Sequence, residues 1–138
     1  MGTAPSRPAT TRRRHPVPEA LGPRGERLAA AHLEEHGYRV LARNWRADPA
    51  RDGVRGEADL VAEHEGVLVV VEVKTRSSLR YGHPFESVTP GKSARLHRLA
   101  AAWARRHGRD PLLIRVDAVA VLLPARGPAG IEVLRQIE

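Results

Sequence analysis

The segment GEADLVAEHEGVLVVVEVK, residues 56 to 74, contains two short Val-rich runs separated by a turn, with carboxylates at their outer ends. The Glu65-Gly66 dipeptide between these runs predicts a β-hairpin with a two-residue loop. In that register His64 pairs with Val67, and each further pair lies one residue farther from the turn on both strands. The register brings two charged pairs face to face, Asp59 with Glu72 and Glu57 with Lys74.

The facing carboxylates of Asp59 and Glu72 need a physical explanation, because like charges opposite each other destabilise a sheet. The second run has apolar residues on both faces, which is typical of a central strand, so Glu72 lies at the end of a buried strand. Buried charges are normally neutralised by a counter-charge or by a metal ion. Ligands that are all oxygen suit Mg²⁺ or Mn²⁺, and the pattern therefore predicts a divalent-cation site between the two carboxylates.

Two alternative interpretations of the hairpin stay open. A loop of odd length would shift the register by one residue and turn Asp59 to the opposite face of the sheet. In the second alternative, Glu72 and Lys74 are simply paired with partners at a sheet edge. Either alternative would remove the metal site.

Length and composition indicate one domain with a polyanionic partner. The chain has 138 residues, 15.2 kDa, a net charge of +7 and a pI near 11.1, which favours nucleic acid and most simply DNA. It has no cysteine and no run of about 20 apolar residues, so we expect a cytoplasmic, soluble protein without membrane contact. Its only two lysines among 23 basic residues are Lys74 and Lys92.

The order of predicted elements is α-β-β-β-α-β-β, a single α/β domain with a mixed central sheet flanked by helices. Residues 1–21 are predicted to form a disordered basic tail and residues 22–138 the domain. The first helix begins at Pro23 and ends at Gly37, with Leu28 and Ala31 on its apolar side and Ala29 and Ala30 as further candidates for that side. The remaining predictions are a strand at residues 38–45, loops at 47–55 and 75–88, a helix capped by Thr89, a strand at 112–123, and a strand or short helix at 131–137.

Basic residues around the hairpin are candidate contacts to nucleic-acid phosphates, with ordinary surface arginines as the alternative interpretation. They lie in the neighbouring loops and in the first turns of the second long helix. The candidates are Arg46, Arg55, Arg76, Arg80, Lys92 and Arg95.

The motif Gly56-Glu57-x-Asp59, followed by Glu72-x-Lys74, resembles the PD-(D/E)xK nuclease superfamily, which has the restriction-endonuclease-like fold. Further motifs narrow the resemblance to the YraN family of small bacterial nuclease-like proteins, related to Holliday-junction resolvases, over about residues 22 to 138. These motifs are Gly25-Glu26, Asn44-x-Arg46, Val88-Thr89-x-x-Lys92 and Arg115-x-Asp117.

The resemblance implies a metal-dependent endonuclease that hydrolyses DNA phosphodiesters, including branched recombination or repair intermediates. Asp59, Glu72 and Glu26 would bind Mg²⁺ or Mn²⁺, and Lys74 would complete the catalytic set by orienting a water or stabilising phosphate charge. Glu57 is a candidate support for Lys74. Cleavage of a junction would also favour a homodimer.

A rival interpretation keeps the fold but not the catalysis. In it, the protein is a non-catalytic module that binds nucleic acid, with a weak or idle metal site. A two-carboxylate glycosidase is disfavoured, because the chain is positively charged and poor in aromatic residues. Asp117 is predicted to be structural, paired with an internal Arg or Lys.

Overall fold

The computed structural model describes residues 20–138. The predicted basic tail lies outside this part of the chain, except that Ala20 and Leu21 form the N-cap and the first residue of a helix. The elements are α1 (Leu21–Glu35), β1 (Arg39–Arg46), α2 (Pro49–Asp52), β2 (Glu57–His64), β3 (Val67–Arg76), a 3₁₀ turn (Pro84–Ser87), α3 (Pro90–Arg106), β4 (Ile114–Leu122) and β5 (Gly130–Leu134).

The predicted order of the long helices and strands is confirmed, and two short helical turns are additions to it. The first is α2, in a segment predicted to be a loop. Asp48 accepts a hydrogen bond from the Ala50 N–H, Pro49 occupies the first turn, and Gly53 ends the helix with φ of 71°. Pro49 and Gly53 therefore mark the start and the end of a helical turn, although the sequence prediction interpreted them as signs of a loop.

The second addition is the 3₁₀ turn that follows the hairpin. His83 and Glu86 form a reciprocal capping box around Pro84 and Phe85, which satisfies the free N–H groups at the start of the turn. Local side-chain capping thus orders a segment whose composition predicted no regular structure.

The sheet has the order β1-β2-β3-β4-β5, in which β3 and β4 are parallel and every other neighbouring pair is antiparallel. Glu65 and Gly66 both have positive φ, 53° and 78°, as a two-residue hairpin turn of type I′ requires. The pairs between β2 and β3 run from His64 with Val67 to Leu60 with Val71. The predicted even-length loop and its register are confirmed.

The two long helices pack on opposite faces of the sheet. Leu68 and Val70 of β3 lie in a core with α3, and Val69 and Val71 lie in a second core with α1. Both faces of β3 are therefore buried, as predicted for a central strand. The predicted stripe on α3 is confirmed by its buried residues, which include Leu96, Leu99, Ala100 and Trp103.

The apolar side of α1 was predicted wrongly at one position. Ala31 is exposed, and the buried side chains are Ala29, Ala30 and Leu33, with Leu28 partly covered. A run of adjacent alanines does not show by its spacing which side of the helix is buried. The packing of α1 against the sheet therefore decides which of these alanines face the core. No helix in residues 20–138 has both the length and the apolar composition needed to cross a bilayer.

Asp117 lies fully buried on the α1 face of β4. Its carboxylate accepts hydrogen bonds from the Tyr38 hydroxyl at 2.7 Å, from the Arg115 guanidinium at 2.8 and 2.9 Å, and from the Gln136 N–H at 3.0 Å. The predicted internal arginine partner is confirmed. A buried charge with this many donors ties β1, β4 and the C-terminal segment together.

Candidate active site

The hairpin opens where β2 and β3 stop pairing. Beyond the Leu60 and Val71 pair, β2 stays bonded to β1 as far as Glu57. The Asp59 side chain replaces the next backbone interaction, because its Oδ2 accepts the N–H of Val73 at 2.8 Å. Asp59 therefore lies at the point where the two strands separate.

Asp59 and Glu72 face each other, as the register predicts. Burial raises the pKa of Asp59 to about 8, helped by a hydrogen bond to the Glu72 carboxyl group and by the charges of Glu72 and Glu26, while the Val73 N–H opposes the shift. The carboxyl groups of Asp59 and Glu72 therefore interact directly. A cation between them would offset the part of the pKa shift that comes from their mutual repulsion.

Lys74 lies beside this pair. Its Nζ is 3.1 Å from Glu72 Oε2, and both side chains are about one fifth exposed. They line a cleft of about 270 Å³, whose other lining residues are Gly56, Glu57, Lys92, Arg95, Leu96 and Leu99. Both lysines of the chain therefore reach the same cleft.

Glu57 has a different partner from the predicted one. It lies in the cleft lining, but its carboxylate is 3.2 Å from Arg46 Nη2, and Lys74 pairs with Glu72 instead. The reason is the separation of β2 from β3, which leaves Glu57 aligned with the β1 residue opposite it. Glu57 consequently lines the cleft while its carboxylate is paired with Arg46 beside it.

Glu26 approaches the carboxylates from α1. Burial raises its pKa, and the charges of Glu57 and Glu72 raise it further, whereas a hydrogen bond from the Asn44 side chain lowers it. Asn44 has a φ of 50°, a left-handed conformation that asparagine tolerates better than most residues. The Asn44-x-Arg46 motif was noted in the sequence, but the contact to Glu26 was missed.

Gly25 allows α1 to come this close to β3. A Cβ on Gly25 would overlap Thr75 Oγ1 and lie 2.8 Å from Thr75 Cβ, so no larger residue fits without movement. The absence of a side chain at this position holds the neighbouring Glu26 near the mouth of the cleft.

Gly25→Ala is expected to lower the free energy of unfolding by about 1–3 kcal/mol, because the added methyl group overpacks the contact with Thr75. Urea unfolding followed by circular dichroism measures the change. Gly22→Ala is the matched control, since a Cβ there meets no atom within 4 Å and the substitution favours helix. Equal stability of the two variants would show that the contact is not tight.

The six basic residues predicted to contact phosphates differ in how close they lie to the cleft. Lys92 and Arg95 line the cleft, and Arg46 is paired with Glu57 beside it. Arg55 is exposed just before β2. At the end of β3, Arg76 donates to the Thr75 carbonyl, and in the following loop the Arg80 guanidinium lies 6.0 Å from the Tyr81 ring centre.

The donor atoms of the cleft fit a hard divalent cation. Among the residues that the structure describes, no group of three or more His, Cys, Asp or Glu side chains is already arranged to hold a metal. Mg²⁺, however, commonly uses one or two carboxylates and completes its shell with water and substrate phosphate. Asp59 and Glu72 provide such a pair.

A five-stranded mixed sheet with helices on both faces, opened at a hairpin that carries Asp59, Glu72 and Lys74, defines a small α/β protein of the restriction-endonuclease-like type. The chain belongs to the uncharacterised protein family UPF0102, the YraN family, whose model matches residues 25–121. The family resemblance seen in the sequence is therefore confirmed.

Curated relatives match over most of their length. A UPF0102 protein of Arthrobacter sp. (strain FB24) is 50% identical over 119 residues, covering 86% of this chain and 96% of the relative. One from Renibacterium salmoninarum is 50% identical over 115 residues, covering 83% and 92%. One from Nocardioides sp. is 48% identical over 121 residues, covering 88% and 93%.

Proposed function

We propose that the protein is a metal-dependent endonuclease that hydrolyses DNA phosphodiesters. The observation that carries this proposal is the facing pair of Asp59 and Glu72, with Lys74 beside Glu72 in a cleft lined by further basic residues. Two partly buried carboxylates that face each other repel unless a proton or a cation lies between them, and the surrounding lysines and arginine attract a phosphate.

The residues at this site have different roles in the proposed hydrolysis. Asp59 and Glu72 would hold Mg²⁺ or Mn²⁺, and Glu26 adds negative charge from α1. A divalent cation held there would supply Lewis-acid chemistry, namely polarisation of the phosphoryl oxygen and a lower pKa for a water molecule. Lys74 orients that water and offsets the charge that develops on the phosphate, while Lys92 and Arg95 bind the phosphate.

The charge on the cleft supports a second candidate function, a non-catalytic module that binds nucleic acid. Lys92 and Arg95 would serve that function without any metal. The two candidates differ in metal dependence. Incubation of the purified protein with branched and linear DNA separates them, since a nuclease gives products in Mg²⁺ or Mn²⁺ and none in EDTA, and a binding module gives products in neither.

The raised pKa of Asp59 makes Mg²⁺ affinity depend on pH. Below about pH 8 the metal-free protein holds a proton that the cation must displace, so the affinity is expected to rise with pH, by up to about tenfold per unit, and to level off above about pH 8. Titration calorimetry measures the affinity, and buffers with different ionisation enthalpies reveal the released proton. A constant affinity between pH 6.5 and 8.5 would contradict a metal site at Asp59.

A further inference from the structure

A second cationic cleft lies between α2 and the last turn of α3. It has a volume of about 240 Å³, and its lining residues are Arg51, Asp52, Ala102, Arg105 and Arg106. Arg51 and Arg105 are exposed at its rim. This cleft is separate from the candidate active site, which the first turns of α3 line.

The acid in this second cleft is already neutralised. The Asp52 side chain is only 3% exposed and lies 3.1 Å from Arg106 Nη2, and it also accepts the Asp48 N–H at 2.7 Å. Within residues 20–138, the buried Nε of Arg106 has no hydrogen-bond partner. Within the described residues neither Arg51 nor Arg105 is ion-paired, so the cleft keeps two positive charges that suit an anion.

The two clefts lie along the same helix, α3, and residues 51–57 pass beside the helix between them. At one end Asp52 contacts Arg106, and at the other a Cβ on Gly56 would lie 3.5 Å from side-chain carbons of Arg95 and Leu99. Ten residues separate Arg95 from Arg105, which corresponds to about 15 Å along the helix axis.

We propose that the two clefts together bind backbone phosphates of one duplex arm of the DNA substrate. The roughly 15 Å from Arg95 to Arg105 corresponds to about four to five base pairs of a duplex that lies along α3, since the duplex rises about 3.4 Å per base pair. A duplex is stiff over this length, so it lies along the helix without an ordering cost. The inference rests on the proposed function and adds the kind of substrate to it.

The test compares two charge-matched double variants. Arg51→Gln with Arg105→Gln removes the rim, and Arg39→Gln with Arg126→Gln removes two arginines that line neither cleft. Fluorescence anisotropy in EDTA, at several salt concentrations, gives the affinity for a labelled duplex. When log K is plotted against the logarithm of the salt concentration, the slope for the rim variant is expected to be about 2 smaller in magnitude than the wild-type slope. The control variant is expected to have the wild-type slope.

The same binding measurement is repeated with duplex arms of different length and with single-stranded DNA. Shortening the duplex arm from eight to three base pairs is expected to weaken wild-type binding and to leave the rim variant unchanged, with a smaller difference on single strands of equal length. Wild-type binding and cleavage with no difference between rim and control variants would overturn this inference alone. Equal losses on single strands would overturn the duplex assignment, and a wild type that neither binds nor cleaves DNA would overturn the proposed function itself.

Discussion

Asp59→Asn is expected to lower the rate of Mg²⁺-dependent DNA cleavage by about 10²–10³-fold. The amide keeps the size of the side chain and can still accept the Val73 N–H, but it carries no negative charge for the cation. The loss should appear as weaker metal binding in calorimetry as well as slower cleavage of the same DNA. The fold should be retained, because the substitution removes a buried ionisable group.

Lys74→Met provides the contrast to Asp59→Asn. It removes the ammonium group 3.1 Å from Glu72 while keeping an unbranched side chain, so cleavage is expected to fall by about 10²–10³-fold without loss of metal affinity. Gly22→Ala, at a position with no neighbouring atoms, should cleave at the wild-type rate. Equal residual cleavage by the wild type and both site variants would show that the activity came from a contaminant.

Asp117→Ala is expected to cost about 3–5 kcal/mol in the free energy of unfolding. It would leave the Arg115 guanidinium, whose side chain is 11% exposed, without its carboxylate partner, and would remove the acceptor for the Tyr38 hydroxyl. Urea denaturation followed by fluorescence and circular dichroism measures the loss. Asp117→Asn keeps one acceptor oxygen and should show a smaller loss, which preserves the measurement if the alanine variant does not fold.

Glu63→Gln is the matched control for the buried ion pair. Glu63 also binds two arginines, Arg39 at 2.6 Å and Arg109 at 2.8 Å, but it does so at the surface, where solvent screens the charges. A much smaller change is expected than for Asp117→Ala. If the two substitutions had equal effects, burial would not be the source of the stability at Asp117.

The candidate site was predictable where its geometry follows from local rules. The Glu65-Gly66 turn set the hairpin register, and strand alternation then placed Asp59 opposite Glu72. The partner of Glu57 was not predictable in the same way. A register predicted from the turn assumes that the two strands stay paired to their ends. Here the β2–β3 pairing ends at Leu60, and Glu57 pairs with Arg46 instead.

The amino-acid sequence by itself determined the order of the elements, the hairpin and the family, because turn residues, caps and apolar periodicity act between neighbours in the chain. Only the tertiary structure decided how α1 brings Glu26 and Asn44 together, and how α3 comes to line two separate cationic clefts. These contacts join residues far apart in the chain, and they depend on helix-to-sheet distances such as the one that Gly25 permits at Thr75. A periodic pattern shows which face of an element is buried, but not how closely that face approaches its neighbour.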